Sequence, residues 1–547
     1  MSDIFFIPIE PAHVLSIYIL RTFLKPYPPW RDAHTQHRRD SDPRYHRILT
    51  TLQSQSRTIY FGRIKLIPVI VACYWLVLLI TGTDLLDSSL LAAAIAFGFL
   101  SIGAAGGIKT APGLLNFVLI LKFVLIAVTL KALTWQASDS LLKAPHTTCE
   151  VMAVGFFSLY LGSAAYGYVT KIKGLVTDVV DSQMYLVLAI VFSVVCLGST
   201  IIILIFQTSY DTNLSGGLWG VAHQFEVTTS FCVVPAMYYA WSSGSKRFLS
   251  HPLVLAILFV QIAIGIALTT KQGMMEPLLC YLGVGFIRYG MRSKLVWGLA
   301  ATGGLCYTTI VYPYSQYVRS HGGRDGTLQE RLETIQEVFF SVSTDSDFRK
   351  VAEASTGSDD SYLGKYSLRP ISRLAMIGEA DRLIAATDET QSYTGWETIT
   401  NGLKLMVPSF LIADKPTSGG GNFLGHIAGD LAPDDMSTQV SYGIMANLYN
   451  AFGLTGVLFG TGFFICIFYY SLRVWFAHPD LSSGPWGSSI WYLLLGMLFE
   501  HGLVEASIGN TLPAIFNLSA VVGLVYVSKF LVSLLRNRRV TGVPTYY

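Results

Sequence analysis

Twelve apolar runs of about twenty residues leave this chain few ways to fold. They lie near 65–82, 88–105, 112–133, 150–169, 184–206, 222–241, 251–269, 275–290, 295–313, 446–471, 487–503 and 512–533. About twenty apolar residues in a helix cross a bilayer, and no other single-segment structure satisfies its backbone there. Only 13% of the 547 residues are charged and 52% are hydrophobic, against roughly 25% charged in soluble domains. The sequence therefore reads as an all-α polytopic membrane protein with about 12 transmembrane helices. The run at 275–290 is short for a full span. Ile4–Leu24 reads as an interfacial helix or a thirteenth span, interrupted by Pro8, Glu10, Pro11 and His13, which also argue against a cleavable signal.

Lys and Arg set the orientation. One class of alternate connections holds Lys109, Lys171, Lys173, Lys246, Arg247, Arg288, Arg292, Lys294, Arg473, Arg536, Arg538 and Arg539, with Arg38, Arg39, Arg44 and Arg47 ahead of the first span. The other short connections hold little beyond Lys143 and Lys271. The basic class is cytoplasmic, so both termini lie inside. The reading divides the chain into a basic N-terminal segment (1–64), spans 1–9 (65–313), a large outer loop domain (314–445), spans 10–12 (446–533) and a basic tail (534–547). The outer segment carries eleven Lys and Arg against eighteen Asp and Glu, a net charge near −7. It is too long for a plain connector. Two apolar stripes, Leu328–Leu332–Ile335–Phe339 and Trp396–Ile399–Leu403–Met406, predict helices in it.

A net charge of +3 excludes nucleic acid as an expected partner. The seven cysteines have no metal or redox spacing and read as apolar fillers. Chemistry concentrates just before the tenth span: Asp414-Lys415-Pro416, Gly419-Gly420-Gly421-Asn422, Gly425-His426, Gly429-Asp430, Asp434-Asp435 and Thr438. Glycines permit close backbone approach to a ligand, Lys415 suits an anion, and His426, Asp434 or Asp435 suits proton acceptance. The same residues also read as a turn-rich connector with helix-capping aspartates.

Outer cations are Lys271, Arg319, Arg324, Arg369, Arg373, Arg382 and Lys415. Arg369 and Arg373 share a helix face if a helix begins near Pro370. Partners for such arginines lie close by at Glu379, Asp381 and Asp388. Lys271 sits in a very short connection, where a charge is costly. His223 with Glu226, and Glu500, His501 and Glu505, mark other span mouths. Lys122, in the middle of the third run, reads as a lysine that snorkels or pairs. Tyr362, Tyr366, Tyr393 and Trp396 suit sugar stacking or a core.

The run Pro408-Ser409-Phe410, Asp414-Lys415-Pro416, Asn422 to His426, Asp434-Asp435, Thr438, Ala446-Asn447-Leu448-Tyr449 and Phe452-Gly453-Leu454-Thr455-Gly456-Val457 resembles the Wzy-type oligosaccharide repeat-unit polymerases. The likeness is sharp over about 60 residues. Thr269-Thr270-Lys271-Gln272-Gly273 resembles a further family segment, whereas the long basic N-terminus departs from the pattern. The resemblance implies en bloc transfer of a glycan from polyprenyl diphosphate to a hydroxyl of the next lipid-linked unit, at the outer face of a bacterial inner membrane. It implies catalytic roles among His426, Asp434 and Asp435. Diphosphate binding would fall among Lys271, Arg319, Arg369, Arg373, Arg382 and Lys415, with no cofactor and no metal. A chain-length regulator and a flippase are the protein partners it suggests. An O-antigen ligase uses the same donor with another acceptor. A flippase would instead place charges deep in the bundle and broken helices in both halves.

Overall fold

The computed structural model describes residues 66–168, 174–176, 182–206, 222, 225, 228–245, 248–268, 271–289, 293–311, 314–315, 333, 336, 362, 375–407, 420–433, 440–476, 480–481, 485–496 and 508–540. Among these, every regular element is a helix, apart from one isolated bridge between Thr110 and Asp480. Early helices are α1 (Ile67–Ile80), α2 (Leu85–Ala104), α3 (Ala111–Leu133), α4 (Pro145–Tyr168) and α5 (Ser182–Phe206). Then come α6 (Thr229–Ser242), α7 (Pro252–Ala267), α8 (Lys271–Tyr289) and α9 (Lys294–Cys306). The polar segment contributes α10 (Ile377–Thr390), α11 (Glu397–Met406) and α12 (Gly421–Ile427). Last are α13 (Ile444–Phe476), α14 (Pro485–Gly496) and α15 (Ile508–Val540).

The starts follow local rules. Asp84 caps α2 by accepting from the Leu86 amide at 2.8 Å, and Thr110 caps α3 by accepting from Gly113 at 3.0 Å. Pro145, Pro252 and Pro485 open their helices, where a missing N–H costs nothing. Large side chains such as Phe259, Phe459 and Val194 stand outward and exposed, as on helices solvated by lipid.

Five helices are long and apolar enough to cross a membrane: α2, α3, α4, α5 and α13. Three shorter apolar stretches, Ile67–Ile80, Pro252–Ala267 and Leu518–Leu534, accompany them. These are the features of a membrane protein. At the expected sixth, ninth and eleventh spans the described helical stretches are Thr229–Ser242, Lys294–Cys306 continued by a π-turn to Val311, and Pro485–Gly496. In α6 the described helix begins after the polar stretch containing His223 and Glu226, which lie outside the described residues.

Hydrogen bonds gather the connections into two ends. At one, Ser138 N–H donates to Thr83 Oγ1 and Asp84 N–H to Asp139, and Tyr362 of the polar segment donates to the Ser138 carbonyl at 2.6 Å. At the other, Leu481 N–H donates to Lys109 O, Val176 N–H to Trp475 O and Trp491 to Ile108 O. Connections that alternate in sequence thus share an end, as the charge pattern requires.

Close helix crossing is carried by small residues. A Cβ at Gly162 of α4 would lie 2.4 Å from the Gly462 carbonyl of α13, and one at Gly462 would lie 2.3 Å from the Ser158 carbonyl. The Gly462 amide donates to Ser158 Oγ at 2.8 Å. Backbones that touch gain packing and polar contact that lipid cannot supply.

α13 is not one helix. Phe452 (φ −144°, ψ 15°) and Gly453 (φ 65°, ψ −159°) break it, and this second conformation is open only to glycine. Residues 444–451 then fold back along 454–476. Leu448 fills the space beside Gly456 and Gly460, where a Cβ at 460 would meet its side chain at 2.5 Å. The tenth span expected at 446–471 is thus a 23-residue crossing preceded by a short separate leg.

Both that leg and α10 begin inside the bundle. The Met376 amide, just before α10, donates to the Lys122 carbonyl at 2.9 Å. Lys122 is the midpoint of α3, about 16 Å from either end. Around it α3 adopts a π-turn, Leu121–Leu125, which frees carbonyls from the regular ladder. Gly443 (φ 84°), just before the leg, lies against the Phe123 ring, and Met445 lies against Gly155, ten residues into α4. From there α10 and the leg rise side by side. At their tops Asn450 donates to Thr387 at 2.8 Å and Tyr449 to Asp388 at 2.5 Å. The described part of the polar segment therefore shares the core of the bundle, through Ile377, Ala380, Leu383 and Ile384. Irregular backbone at this depth is tolerated because protein, not lipid, surrounds it.

A re-entrant polar cluster as the candidate functional site

The site is built on α10. Its successive residues Asp381 and Arg382 face different ways. Asp381 is 2% exposed and accepts from the amides of Lys143 (2.6 Å) and Ala144 (3.0 Å) and from Thr148 Oγ1 (2.8 Å). It fastens α10 to the start of α4. Burial raises its pKa above the usual carboxylate value, opposed by these three hydrogen bonds and by the charge of Lys143. Asp381→Ala leaves three donors without their acceptor, at about 1–3 kcal/mol for a buried unsatisfied group. We expect a clearly lower thermal unfolding midpoint in detergent, with Asp381→Asn intermediate; an unchanged midpoint in both would contradict this anchor.

Arg382 forms ion pairs with Glu379, one turn back, and with Asp430, whose Oδ1 lies 3.1 Å from Nε. Asp430 also accepts from the Tyr442 hydroxyl at 2.6 Å. The contact of Arg382 with Asp430 ties α10 to the glycine-rich stretch, an unpredicted link. It also engages the Arg382 charge with two carboxylates, which leaves it less to offer a diphosphate. His426 lies on α12, half-buried, one turn before Asp430.

At the top of the cluster, Thr394 donates to Asn450 Oδ1 at 3.0 Å, and the Thr394 and Gly395 amides cap the carbonyls of Asn450 and Ala451. Trp396 packs edge-on against Phe452, with centroids 5.2 Å apart, yet is 68% exposed. Tyr393 is exposed too. α11, placed as its stripe predicts, buries Ile399 but leaves Trp396 and Leu403 outside. Tyr362 is buried with its hydroxyl bonded, so it serves the core rather than a sugar.

Several ionisable groups are deeper than the sequence suggests. Lys122 is 1% exposed at the middle of α3, so it does not snorkel to an interface. Its backbone carbonyl accepts from the Met376 amide of the re-entrant segment. Lys131 donates to Ser140 O and Oγ, both at 2.9 Å, beneath the Tyr362 ring. Glu276 of α8 accepts from the Ser230 amide at 3.1 Å and from Gln272 at 3.0 Å. A cleft of about 210 Å³ at the opposite end, lined by Arg473, Asp480 and Tyr166, lies apart from the cluster.

Of the residues singled out in the sequence, the structure brings together Arg382, Asp430 and the helix carrying His426. Lys271 opens α8, with its side chain outside the description. Asp434, Asp435, Arg319, Arg324, Arg369, Arg373, Lys415, Thr438 and Tyr366 lie outside the described residues, as do Glu500, His501 and Glu505. Arg373 falls two positions before Ala375, which is 5% exposed. Among the described residues no group of His, Cys, Asp and Glu is placed to hold a metal. No family model, curated protein or solved structure matches the chain.

Proposed function

We propose that this protein is a membrane glycosyltransferase that polymerises polyprenyl-diphosphate-linked oligosaccharide units at the outer face of a bacterial inner membrane. One observation supports the reading most: the described parts of the stretch that resembles the polymerases, residues 420–433 and 440–457, pack against the bundle. Asp430 and Tyr442 bond there, and Gly443 meets Phe123 at the depth of Lys122. A lipid-borne substrate needs such a place, where a polar head meets protein groups while its tail stays in lipid.

In the reaction, the bond from the donor's anomeric carbon to the diphosphate oxygen breaks. A new bond forms to an acceptor hydroxyl, whose proton passes to His426, Asp434 or Asp435. Polyprenyl diphosphate leaves, its charge held by cations and helix N-termini.

A flippase reading is favoured by the buried charges Lys122, Lys131 and Glu276. Against it, the one non-helical break among the described spans lies in the late segment, in α13. Inverted-repeat transporters carry matching breaks in both halves.

The test is deletion of the gene in its host. Polymerase loss leaves single-repeat glycan at the surface without long chains. Units trapped in the inner leaflet would show a flippase. Long chains retained on the carrier would show a ligase.

A further inference from the structure

A carboxyl group is buried where α6, α8 and α14 meet. Glu276 lies five residues into α8 and is 3% exposed. Its Oε1 accepts from the Ser230 amide, at the start of α6, at 3.1 Å. Its Oε2 accepts from the Gln272 carboxamide, one turn back, at 3.0 Å. A Cβ at Gly496, the last residue of α14, would lie 3.2 Å from the same Oε2, so α14 closes a third side. The Ser230 hydroxyl is fully buried beside this carboxyl group and has no other partner.

Every group that meets Glu276 is neutral. Among the described residues no Lys, Arg or His lies within ion-pair distance of it. The elements around it bring no countercharge. α6 brings the Cys232 thiol and α8 the Cys280 thiol. α5 brings Ser193 and Cys196 to Cys232, and α7 brings Gln261, bonded to Cys196. α14 brings Tyr492, which meets Gly283. Lys294 begins α9, beyond the far end of α8. Arg288 stacks on Trp241, about 18 Å along α8 from Glu276. Lys271 stands five positions earlier, about 140° round the helix.

An ionised carboxylate with no countercharge is very costly to bury, whereas the protonated acid needs only hydrogen bonds. A hard metal ion would need several oxygen ligands, and the Ser230 amide and the Gln272 carboxamide meet the carboxyl group with N–H instead. Ionisable groups inside a membrane bundle mark ion and proton sites. We propose that Glu276 is a proton-binding site within the bundle, its acid proton shared with the Ser230 hydroxyl. The bound proton lets α6, α8 and α14 close over the carboxyl group. Its release leaves an unpaired charge that water must satisfy, so these helices part to admit water. The site is independent of which glycan chemistry the bundle performs.

The test uses the full-length protein in detergent. At neutral pH its infrared spectrum should contain a protonated-carboxyl C=O band that is absent from Glu276→Gln. Glutamine is the neutral counterpart of the protonated acid, so this variant should fold. The folded state holds a proton that the unfolded glutamate has released. The unfolding midpoint of the unmodified protein should therefore fall as pH rises from mildly acid to mildly alkaline, and Glu276→Gln should lose that part of the slope. Over the same rise, hydrogen exchange at the start of α6 should quicken in the unmodified protein. Ser230→Ala keeps the acid and removes the hydroxyl, so it should move the carboxyl band to higher frequency, and it serves if Glu276→Gln does not fold. Carboxyl bands that superimpose in Glu276→Gln and the unmodified protein, equal pH slopes in the two, or an unmoved band in Ser230→Ala overturns the proton site.

Discussion

Gly162→Leu should abolish accumulation of folded protein. The α4–α13 crossing leaves no volume at this site: a single Cβ would lie 2.4 Å from the Gly462 carbonyl and 2.7 Å from its Cα. Both obstacles are backbone, so rotamer changes cannot relieve them. Parting the helices would also break the hydrogen bond from the Gly462 amide to Ser158 Oγ. Overpacking typically costs about 1–3 kcal/mol, and a clash with backbone stands at or above the top of that range. Membrane abundance and the elution profile after detergent extraction check it. Gly162→Leu that elutes like the unmodified protein would show that the crossing is looser than the structure has it.

A cysteine pair at Leu448 and Gly460 should close into a disulfide on mild oxidation, in a background without the seven native cysteines. The two positions are twelve apart in sequence. In a continuous helix they would be separated by about 18 Å along the axis, far beyond the Cα separation a disulfide spans. In the folded-back arrangement the Leu448 side chain touches the place where a residue-460 Cβ would sit. Thiol labelling before and after oxidation gives an all-or-none reading. A pair that stays reduced would mean that 444–476 is one straight span, and the re-entrant leg would lose its footing.

The sequence showed the helical membrane character plainly, because apolar runs of membrane length have few other structural meanings. The helix connections that are described gather at two ends in alternation, as successive antiparallel spans must. The sequence could not show the break in α13. Phe452-Gly453 lies within an apolar run, and a glycine inside such a run is ordinary in membrane helices. Only its φ of 65° and the contact of Leu448 with Gly460 reveal the turn. Lys122 was visible as a lysine in mid-span, but that its carbonyl meets the amide of Met376, more than 250 residues away, was not. Asp381 looked like one more surface acid, since nothing local announces that Lys143, Ala144 and Thr148 will converge on it. Asn447 was noticed as part of a family-like motif, while its unsatisfied carboxamide is visible only once the chain is packed. Arg382 was legible as a cation and Asp430 as an acid. That they meet is a property of the fold alone.

The purified protein, reconstituted in vesicles with a lipid-linked repeat unit from its host as sole substrate, gives the most direct trial of the proposed activity. Products would be resolved by glycan length and polyprenyl diphosphate would be quantified. The prediction is glycans of two or more repeats on lipid, with one polyprenyl diphosphate released for each bond formed. Vesicles that hold the folded protein and move the lipid across the bilayer, yet form no longer glycan and release no polyprenyl diphosphate, would contradict it.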